Sequence, residues 1–323
     1  MDQFVNVKEI PKQLRGSAEA GSVIVAVGGG KGGIGKSFIS SNLGIFLANM
    51  GFNTILVDLD LGAPNLHTCL GESLPTVNYH DYLRGKIKNF NDTAVATQFP
   101  KLRLVTGAND HSELANINLE DQSRLMSALF RNKADFTILD LSAGTHTSTL
   151  DFFLMAHRQI VTLTPDPTSI ENAYRFMKAS YYRKIKRFER QLQLETLVND
   201  LMLNAEKNKI RQPSDLLNAV IATDPQRGQE LAKIMKTLSF ELVLNQARGS
   251  KDVQLASSIK LISQKYFGQS VSILGHIDYD NSVWHALRKR RPVLLEHPNS
   301  RLYSQIMTVA RNLASPHLKK AVV

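Results

Sequence analysis

The chain has 323 residues, of which 43% are hydrophobic and 21% charged, and its formal net charge is +10. Its one cysteine, Cys69, excludes an internal disulfide framework and a metal cluster held by cysteines. No apolar run approaches the ~20 residues of a membrane span, and the N-terminus lacks the regions of a signal peptide, so we expect a cytoplasmic protein. The positive charge suits an acidic partner surface, either nucleic acid or an anionic bilayer.

The first predicted elements are a strand over residues 23–27 and a helix over residues 38–50, joined by a glycine-rich loop. From Gly30 to Ser37 the loop satisfies the phosphate-loop pattern G-x-x-x-x-G-K-[ST]. Backbone N–H groups of such a loop surround a phosphate. We expect Lys36 to reach the terminal phosphates and the Ser37 hydroxyl to bind Mg²⁺. The loop therefore predicts a nucleotide site.

Two other interpretations of these glycines remain open. Gly28, Gly30 and Gly33 also satisfy the dinucleotide pattern G-x-G-x-x-G, with Asp58 where a ribose-binding carboxylate would lie. Alternatively, the glycines only tighten a turn. Neither interpretation accounts for the Lys-Ser pair that ends the loop or for a second lysine within it, Lys31.

Two aspartates, Asp58 and Asp60, lie at the carboxyl end of the second predicted strand, residues 54–58. Strands that alternate with helices along the chain predict an α/β fold, a doubly wound and mostly parallel sheet with helices on both faces. Ligands bind such sheets at the carboxyl ends of the strands, where Asp58 and Asp60 lie. These carboxylates can order a metal-bound water or orient an attacking water. An Asp-rich turn around Gly62 and Pro64 is the alternative.

A third carboxylate follows a later strand. Strands over residues 102–106 and 136–140 flank a predicted helix, residues 123–130. The second of them ends in Asp140, the Walker B arrangement that holds Mg²⁺ directly or through water. The next strand, residues 159–163, precedes a helix that we expect Ser169 to cap.

We predict that residues 1–21 form an N-terminal arm and that residues 22–323 form a single phosphate-loop ATPase domain. The segment 175–238 is predicted as a helical insertion, because it is longer than a β–α–β crossover requires. Its first part is basic and rich in aromatic residues, which would bind nucleic acid or lipid headgroups, or form a solvated helix face with the aromatic residues in the core. The insertion is a candidate partner surface.

The last part of the chain returns to the sheet with a predicted strand over residues 241–246. Asn245 offers a donor and an acceptor that can pair with the edge of adenine, and a turn cap is the alternative. A helix over residues 253–267 and a strand over residues 271–277 follow. A C-terminal helix over residues 301–314 is expected to end at Ser315 and Pro316.

Residues 31–37, Lys-Gly-Gly-x-Gly-Lys-Ser, resemble the deviant Walker A motif of the MinD/ParA class of ATPases. Residues 58–66 resemble the switch I motif of that class, D-x-D-x-G-x-x-N-L. Residues 140–144 resemble its switch II motif, D-x-P-A-G, with Ser142 in place of proline. Residues 164–174 and 277–300 resemble the FlhG (FleN) group of MinD-like regulators of flagellar number.

The resemblance implies Mg²⁺-dependent ATP hydrolysis and a homodimer that ATP assembles and hydrolysis releases. In the dimer Lys31 would reach the partner's nucleotide, and Asp60 would support hydrolysis, so the predicted catalytic residues are Lys31, Lys36 and Asp60. The predicted ATP-binding residues are Gly30, Lys31, Gly32, Gly33, Ile34, Gly35, Lys36, Ser37, Phe38, Asn245 and Asp280. The predicted metal-binding residues are Ser37, Asp60 and Asp140. The predicted switch residues are Asp58, Asn65 and Gly144.

The implied function is an ATPase switch that controls the placement or number of a cellular structure such as a flagellum. A protein partner would stimulate its slow turnover, at the inner membrane or the cell pole. The alternatives are a ParA-like partitioning ATPase that binds DNA, which the basic run 288–291 favours, and a nucleotide-gated scaffold without significant turnover. Two terminal features of relatives fit poorly, since the D-Q and L-R pairs of the FlhG N-terminal element are too far apart and residues 317–323 are short for a MinD-type membrane anchor.

Overall fold

The computed structural model describes residues 22–60, 64–107 and 117–318. Three predicted features lie outside the described residues: the N-terminal arm with its D-Q and L-R pairs, residues 61–63 of the switch I motif, and residues 319–323 of the tail. The division into an arm and one ATPase domain stays a prediction.

Eight strands form one sheet in the order β3-β4-β2-β5-β1-β6-β7-β8. Only β3 runs antiparallel to its neighbour, and the other pairs are parallel. The predicted doubly wound, mostly parallel sheet is therefore confirmed. The strands are β1 Val23–Gly28, β2 Thr54–Leu59, β3 Val95–Ala96, β4 Leu102–Val105, β5 Phe136–Leu141, β6 Arg158–Leu163, β7 Ser239–Ala247 and β8 Ser270–Asp278.

The helices of the described residues cover both faces of the sheet. In chain order they are α1 Lys36–Asn49, α2 Leu66–Leu70, α3 Tyr79–Leu83, α4 Leu119–Arg131, α5 Thr147–Met155, α6 Pro167–Glu189, α7 Glu195–Leu203, α8 Pro213–Thr223, α9 Pro225–Met235, α10 Ser250–Phe267, α11 Asn281–Arg288, α12 Val293–Glu296 and α13 Arg301–Leu318. None of these helices is both long enough and apolar enough to cross a bilayer.

Two hydrophobic cores lie on opposite faces of the sheet. Along β1, Ile24 and Ala26 belong to the core beneath α4–α10, whereas Val25 and Val27 belong to the core beneath α1, α2 and α11–α13. This alternation is what the two-residue repeat of a strand produces when both faces are covered. The strands β1 and β5 lie at the centre of the sheet, and residues of both strands are packed in the two cores.

The first helix between β6 and β7 begins close to its predicted start, but with a different cap. This helix, α6, begins at Pro167, and its cap is Asp166, whose carboxylate accepts the Ser169 N–H at 2.9 Å. Ser169 is therefore not the cap, because a carboxylate followed by proline already provides one. The aromatic residues Phe176 and Tyr181 of this helix are buried, as the solvated-face alternative requires.

The C-terminal helix is also longer than predicted, since α13 continues through Pro316 to Leu318. A proline lacks the N–H that would bond to the carbonyl one turn earlier. That carbonyl belongs to Asn312, and the Ser315 hydroxyl donates to it at 3.1 Å. The Ser-Pro pair therefore leaves the helix intact, because the serine replaces the hydrogen bond that the proline cannot make.

Candidate functional site

The phosphate loop joins β1 to α1 and is built from glycines that no other residue could replace at two positions. Gly35 caps α1 with a φ of 90°, in the left-handed region that favours glycine. Gly30 lies so close to α6 that a Cβ atom there would be 2.1 Å from the Asn172 carbonyl oxygen. The loop backbone is thus fixed both by its own conformation and by the helix beside it.

Lys36 is the buried lysine of the loop. Its ammonium lies 3.4 Å from the Lys31 carbonyl oxygen, and only 7% of the residue is exposed. Burial lowers the pKa of Lys36, and the Asp140 and Asp60 carboxylates oppose that shift. A phosphate in the loop would oppose it further, so the arrangement fits an anionic ligand.

Asp140 stands at the end of β5 between two serines of α1. The Ser40 hydroxyl donates to its carboxylate at 2.9 Å, and a hydrogen bond from Ser37 lowers its pKa. Burial outweighs these bonds and the Lys36 charge, and it raises the pKa of Asp140 to about 6. The predicted metal-binding residues Ser37 and Asp140 therefore lie close to each other.

Asp58 is opposite Asp140 in the register of β2 and β5. Its carboxylate accepts three backbone N–H groups, from Asp60 at 3.1 Å, Asn65 at 2.9 Å and Leu66 at 3.0 Å. Burial and the Asp140 charge raise the pKa of Asp58 to about 8 against the effect of these bonds. Asp58 thus holds together the two described ends of the switch I segment rather than facing the loop.

Asp60 lies on the solvent side of Asp58, within electrostatic reach of Lys36, Asp58 and Asp140. It lines a cleft of about 730 Å³ together with residues of β5, the loop after it and α5. The cleft gives water access to the carboxylate, which a residue supporting an attacking water requires. The structure therefore brings together three predicted residues: Asp60, Asp140 and Lys36.

Gly144 connects the switch II loop to the phosphate loop. Its N–H donates to the Gly29 carbonyl at 3.3 Å, and its φ is 93°. Ser142 stands where the MinD pattern has proline, and its hydroxyl is 2.8 Å from that of Thr149 on α5. This serine-threonine hydrogen bond fixes the loop to the helix in the absence of the proline ring.

Lys31 is the exposed lysine of the loop, whereas Lys36 is buried. Its ammonium donates to the Thr168 hydroxyl at 3.0 Å and is 3.8 Å from the Asp166 carboxylate, and its side chain is 46% exposed. Hydrogen bonds from Thr164 and Thr168 hold the pKa of Asp166 well below its usual range. Sequence reasoning missed Asp166 and Thr168 as site residues, although Asp-Pro before a helical pattern signals a capping carboxylate.

The predicted base-side residues make contacts of a different kind. The Asn245 amide donates to the Ile34 carbonyl at 2.9 Å and is buried against the loop. Asp280 caps α11, accepting the Ser282 N–H at 2.8 Å. Phe38 packs in the core on the α1 side of the sheet. Adenine recognition by these residues stays a prediction.

The donor set fits Mg²⁺ bound with a nucleotide. The described residues contain no group of three or more His, Cys, Asp or Glu side chains that could hold a metal alone. Mg²⁺ in nucleotide enzymes needs less, because phosphate and water oxygens supply most of its ligands. Ser37 and Asp140 would hold the ion, and two buried carboxylates with raised pKa values indicate a place where a cation is favoured.

The sequence and fold were compared with those of known proteins. Residues 25–293 match the model of the CobQ/CobB/MinD/ParA nucleotide binding domain. The antiactivator FleN of Pseudomonas aeruginosa is 25% identical over 295 residues, which are 90% of this chain and 86% of FleN. The flagellum site-determining protein YlxH of Helicobacter pylori is 28% identical over 58% of this chain and 63% of its own length.

Among solved structures, the septum site-determining protein MinD of Pyrococcus horikoshii, complexed with Mg-ADP, has a TM-score of 0.63. It is 20% identical, and the match covers 90% of this chain and 96% of MinD. This similarity shows the fold, and the family model covers most of the chain. The predicted resemblance is confirmed: the chain belongs to the CobQ/CobB/MinD/ParA nucleotide-binding family.

Proposed function

We propose that this protein is a MinD-like ATPase switch that dimerises when ATP binds and is released by hydrolysis. Family membership supports nucleotide binding, and the FleN, YlxH and MinD relatives support a role in setting the position or number of a cellular structure. The flagellar relatives favour a flagellum-type regulator, which acts at the inner membrane or the cell pole.

In the proposed cycle the loop N–H groups and Lys36 bind the phosphates of ATP. Ser37 and Asp140 hold Mg²⁺, which neutralises charge on the phosphates when it is bound. Asp60, at the edge of the open cleft, orients the attacking water. Asp58 keeps Asp60 and Asn65 in register by accepting their N–H groups, so that the switch I segment responds as a unit.

The observation that carries the proposal is the contrast between the two lysines of the loop. Lys36 is buried within the loop, whereas Lys31 is half-exposed and interacts with Asp166 and Thr168. An exposed ion pair is worth about 0–1 kcal/mol, so Lys31 can leave it at low cost. We infer that Lys31 exchanges Asp166 for the nucleotide of a second copy, which gives the dimer its dependence on ATP.

The experiment is the solution mass by light scattering, with Mg²⁺ and either ADP or ATP. We expect ATP to double the mass of the wild type, Asp60→Ala to remain dimeric because it does not hydrolyse ATP, and Lys31→Ala to remain monomeric. Lys251→Ala, an exposed lysine on α10, is the matched control and should behave as the wild type.

Three further outcomes decide between the possibilities. Asp166→Asn removes the resting partner of Lys31 and should dimerise at a lower ATP concentration, by about two- to fivefold. A mass that does not depend on the nucleotide in the wild type, in Lys31→Ala and in Asp60→Ala would contradict the shared-nucleotide dimer. Turnover without any change of mass would leave an ATPase but not a switch.

A further inference from the structure

The outward face of α11 and the turn after it carry large apolar side chains in solvent. Trp284 is 54% exposed, Leu287 is 38% exposed, and Leu295 on α12 is 54% exposed. Trp284 and Leu287 are three residues apart and therefore share one side of the helix. The Arg288 guanidinium, one position further, lies 4.8 Å from the Trp284 ring centroid. We call this surface the α11 patch.

The α11 patch is also basic. Arg288, Lys289, Arg290 and Arg291 follow one another at the end of α11, and residues 284–296 contain one acidic side chain, Glu296. Glu296 bridges Lys289 at 2.8 Å and Arg291 at 2.9 Å, which holds the turn in shape. The segment keeps an excess of positive charge beside the exposed apolar side chains.

The recess beneath the patch is too small to serve as a groove. Val283, Ala286 and Leu287 of α11 line it together with residues of α1, and its volume is only about 10 Å³. A recess of that size holds about one water and cannot receive a side chain of a partner protein. The apolar residues of the patch would instead have to enter the partner.

We propose that the α11 patch docks on an anionic lipid bilayer. Trp, Leu and Arg or Lys on one short surface are the residues that enter a membrane interface, with the apolar groups among the acyl chains and the cations at the headgroups. Duplex DNA would use the cations but would leave Leu287 and Leu295 exposed, because its contacts are mostly to phosphates. The lipid surface accounts for both features.

The patch is joined to the nucleotide site through α1. Phe38 and Ser41 of α1 line the recess under α11, and Ser37 precedes Phe38 in the chain. A rigid connection of this kind would fix the orientation of the patch relative to the phosphate loop. If ATP assembles a dimer, two patches act together, and the second binds at a high effective concentration.

The test uses the fact that Trp284 is the one tryptophan of the chain. The full-length protein is mixed with vesicles of phosphatidylcholine, with and without phosphatidylglycerol, in ADP and in ATP. We expect the emission of Trp284 to shift to shorter wavelength with the anionic vesicles only, and bromine-labelled acyl chains to quench it. Binding itself is measured by co-sedimentation.

Two pairs of substitutions separate the contributions of the apolar and the cationic side chains to vesicle binding. Leu287→Ser with Leu295→Ser, and Arg288→Gln with Arg290→Gln, should each weaken co-sedimentation at least about tenfold. The matched controls are Leu261→Ser with Ile262→Ser on α10, which are also exposed aliphatic residues, and Lys207→Gln with Lys251→Gln. Both controls should bind as the wild type.

Several outcomes would overturn the proposal. They are binding that survives both patch variants, an emission shift with duplex DNA but not with vesicles, and no shift with either ligand. Equal vesicle binding in ADP and in ATP would support the lipid surface and contradict the contribution of an ATP-dependent dimer. An ATP-dependent mass change without vesicle binding would do the reverse, so the two proposals can fail separately.

Discussion

The two sides of the site differ in what holds their functional residues. On the phosphate side, Lys36, Ser37 and Asp140 interact with one another, and their backbone is fixed by β1, β5 and α1 at the centre of the sheet. On the base side, Asn245 and Asp280 have their polar atoms engaged with backbone groups of the loop and of α11.

This difference separates residues arranged to bind a ligand from residues that stabilise the local structure. Charged groups on the phosphate side are buried close together at a cost that a ligand can offset, which is the property of a binding site. Groups on the base side already have hydrogen-bond partners and stabilise local structure without a ligand. Substitutions should therefore alter nucleotide chemistry on the first side and folding stability on the second.

The largest effect is expected at Lys36. Replacing it in Lys36→Ala removes the cation that the loop places among Asp140, Asp60 and the phosphates, so we expect ATP turnover to fall by about a hundredfold or more. Turnover is measured by phosphate release, and nucleotide binding by the rise in Tm on adding Mg-ATP.

Lys101→Ala is a suitable control because Lys101 donates to the Gly51 carbonyl, away from the loop, and its turnover should be unchanged. The Lys36 variant should keep a cooperative unfolding transition. If it hydrolyses ATP within a few-fold of the wild type, the phosphate side has been assigned incorrectly.

The second prediction concerns pH and the pair Asp58 and Asp140. Both pKa values are raised above the ordinary value of 3.8, to about 8 and about 6, first by burial. Such groups contribute stability that is fully present below about pH 4 and is lost as the pH rises through these values. We expect the free energy of unfolding of the nucleotide-free protein to fall by several kcal/mol over this window, since each unit of pKa shift corresponds to about 1.4 kcal/mol.

Urea denaturation at several pH values measures this loss. Asp140→Asn removes one of the titrating groups and also a cause of the raised pKa of Asp58, so the decline with pH should be smaller. Glu230→Gln, on the exposed side of α9, should follow the wild-type curve. A wild type and an Asp140→Asn variant with parallel curves would show that these carboxylates are not coupled to folding.

The third prediction concerns Asn245 on the base side. Asn245→Ala removes a buried hydrogen bond to the phosphate loop and should cost about 1–2 kcal/mol of stability. Because a phosphate loop contacts the phosphates, which ATP and GTP share, the affinities for both nucleotides should fall together. If Asn245 instead contacts the base, the substitution should weaken ATP binding more than GTP binding. Isothermal titration with both nucleotides distinguishes these two results.

Asn132→Ala provides a matched control for that experiment. Asn132 is equally buried, and its amide donates to Leu129 and Thr137 far from the loop. We expect a similar loss of stability without any change in nucleotide affinity. Selective loss of ATP binding in the Asn245 variant would show instead that Asn245 contacts the base of the nucleotide.

The sequence could predict the phosphate side because its chemistry is encoded in short, contiguous segments. A loop pattern and strand-end aspartates indicate their own location once the strands are recognised, and Asp58 and Asp140 lie in register because β2 and β5 are neighbours. The order of the strands in the sheet, which places β5 between β1 and β2, could not be deduced from the local pattern.

Contacts between distant segments were harder to predict. Lys31 interacts with Asp166, and Asn245 with Ile34, through side chains that lie far apart in the sequence. The continuation of α13 past Pro316 depends on one serine hydroxyl, which a rule for proline alone does not include. These features follow from tertiary geometry and side-chain hydrogen bonds.

The smallest effect is expected at Asp280. Asp280→Ala removes the cap of α11 and should cost about 1 kcal/mol of stability, whereas Asp280→Asn keeps an oxygen acceptor for the Ser282 N–H and should cost much less. Denaturant unfolding gives the stabilities, and the ratio of ATP to GTP affinity is measured on the same samples. If Asp280 only caps the helix, this ratio stays constant in both variants, and vesicle binding by the α11 patch weakens only in the alanine variant. A changed ratio in the asparagine variant, with stability intact, would show instead that its carboxylate contacts the base, and the base side would then carry specificity as well as architecture.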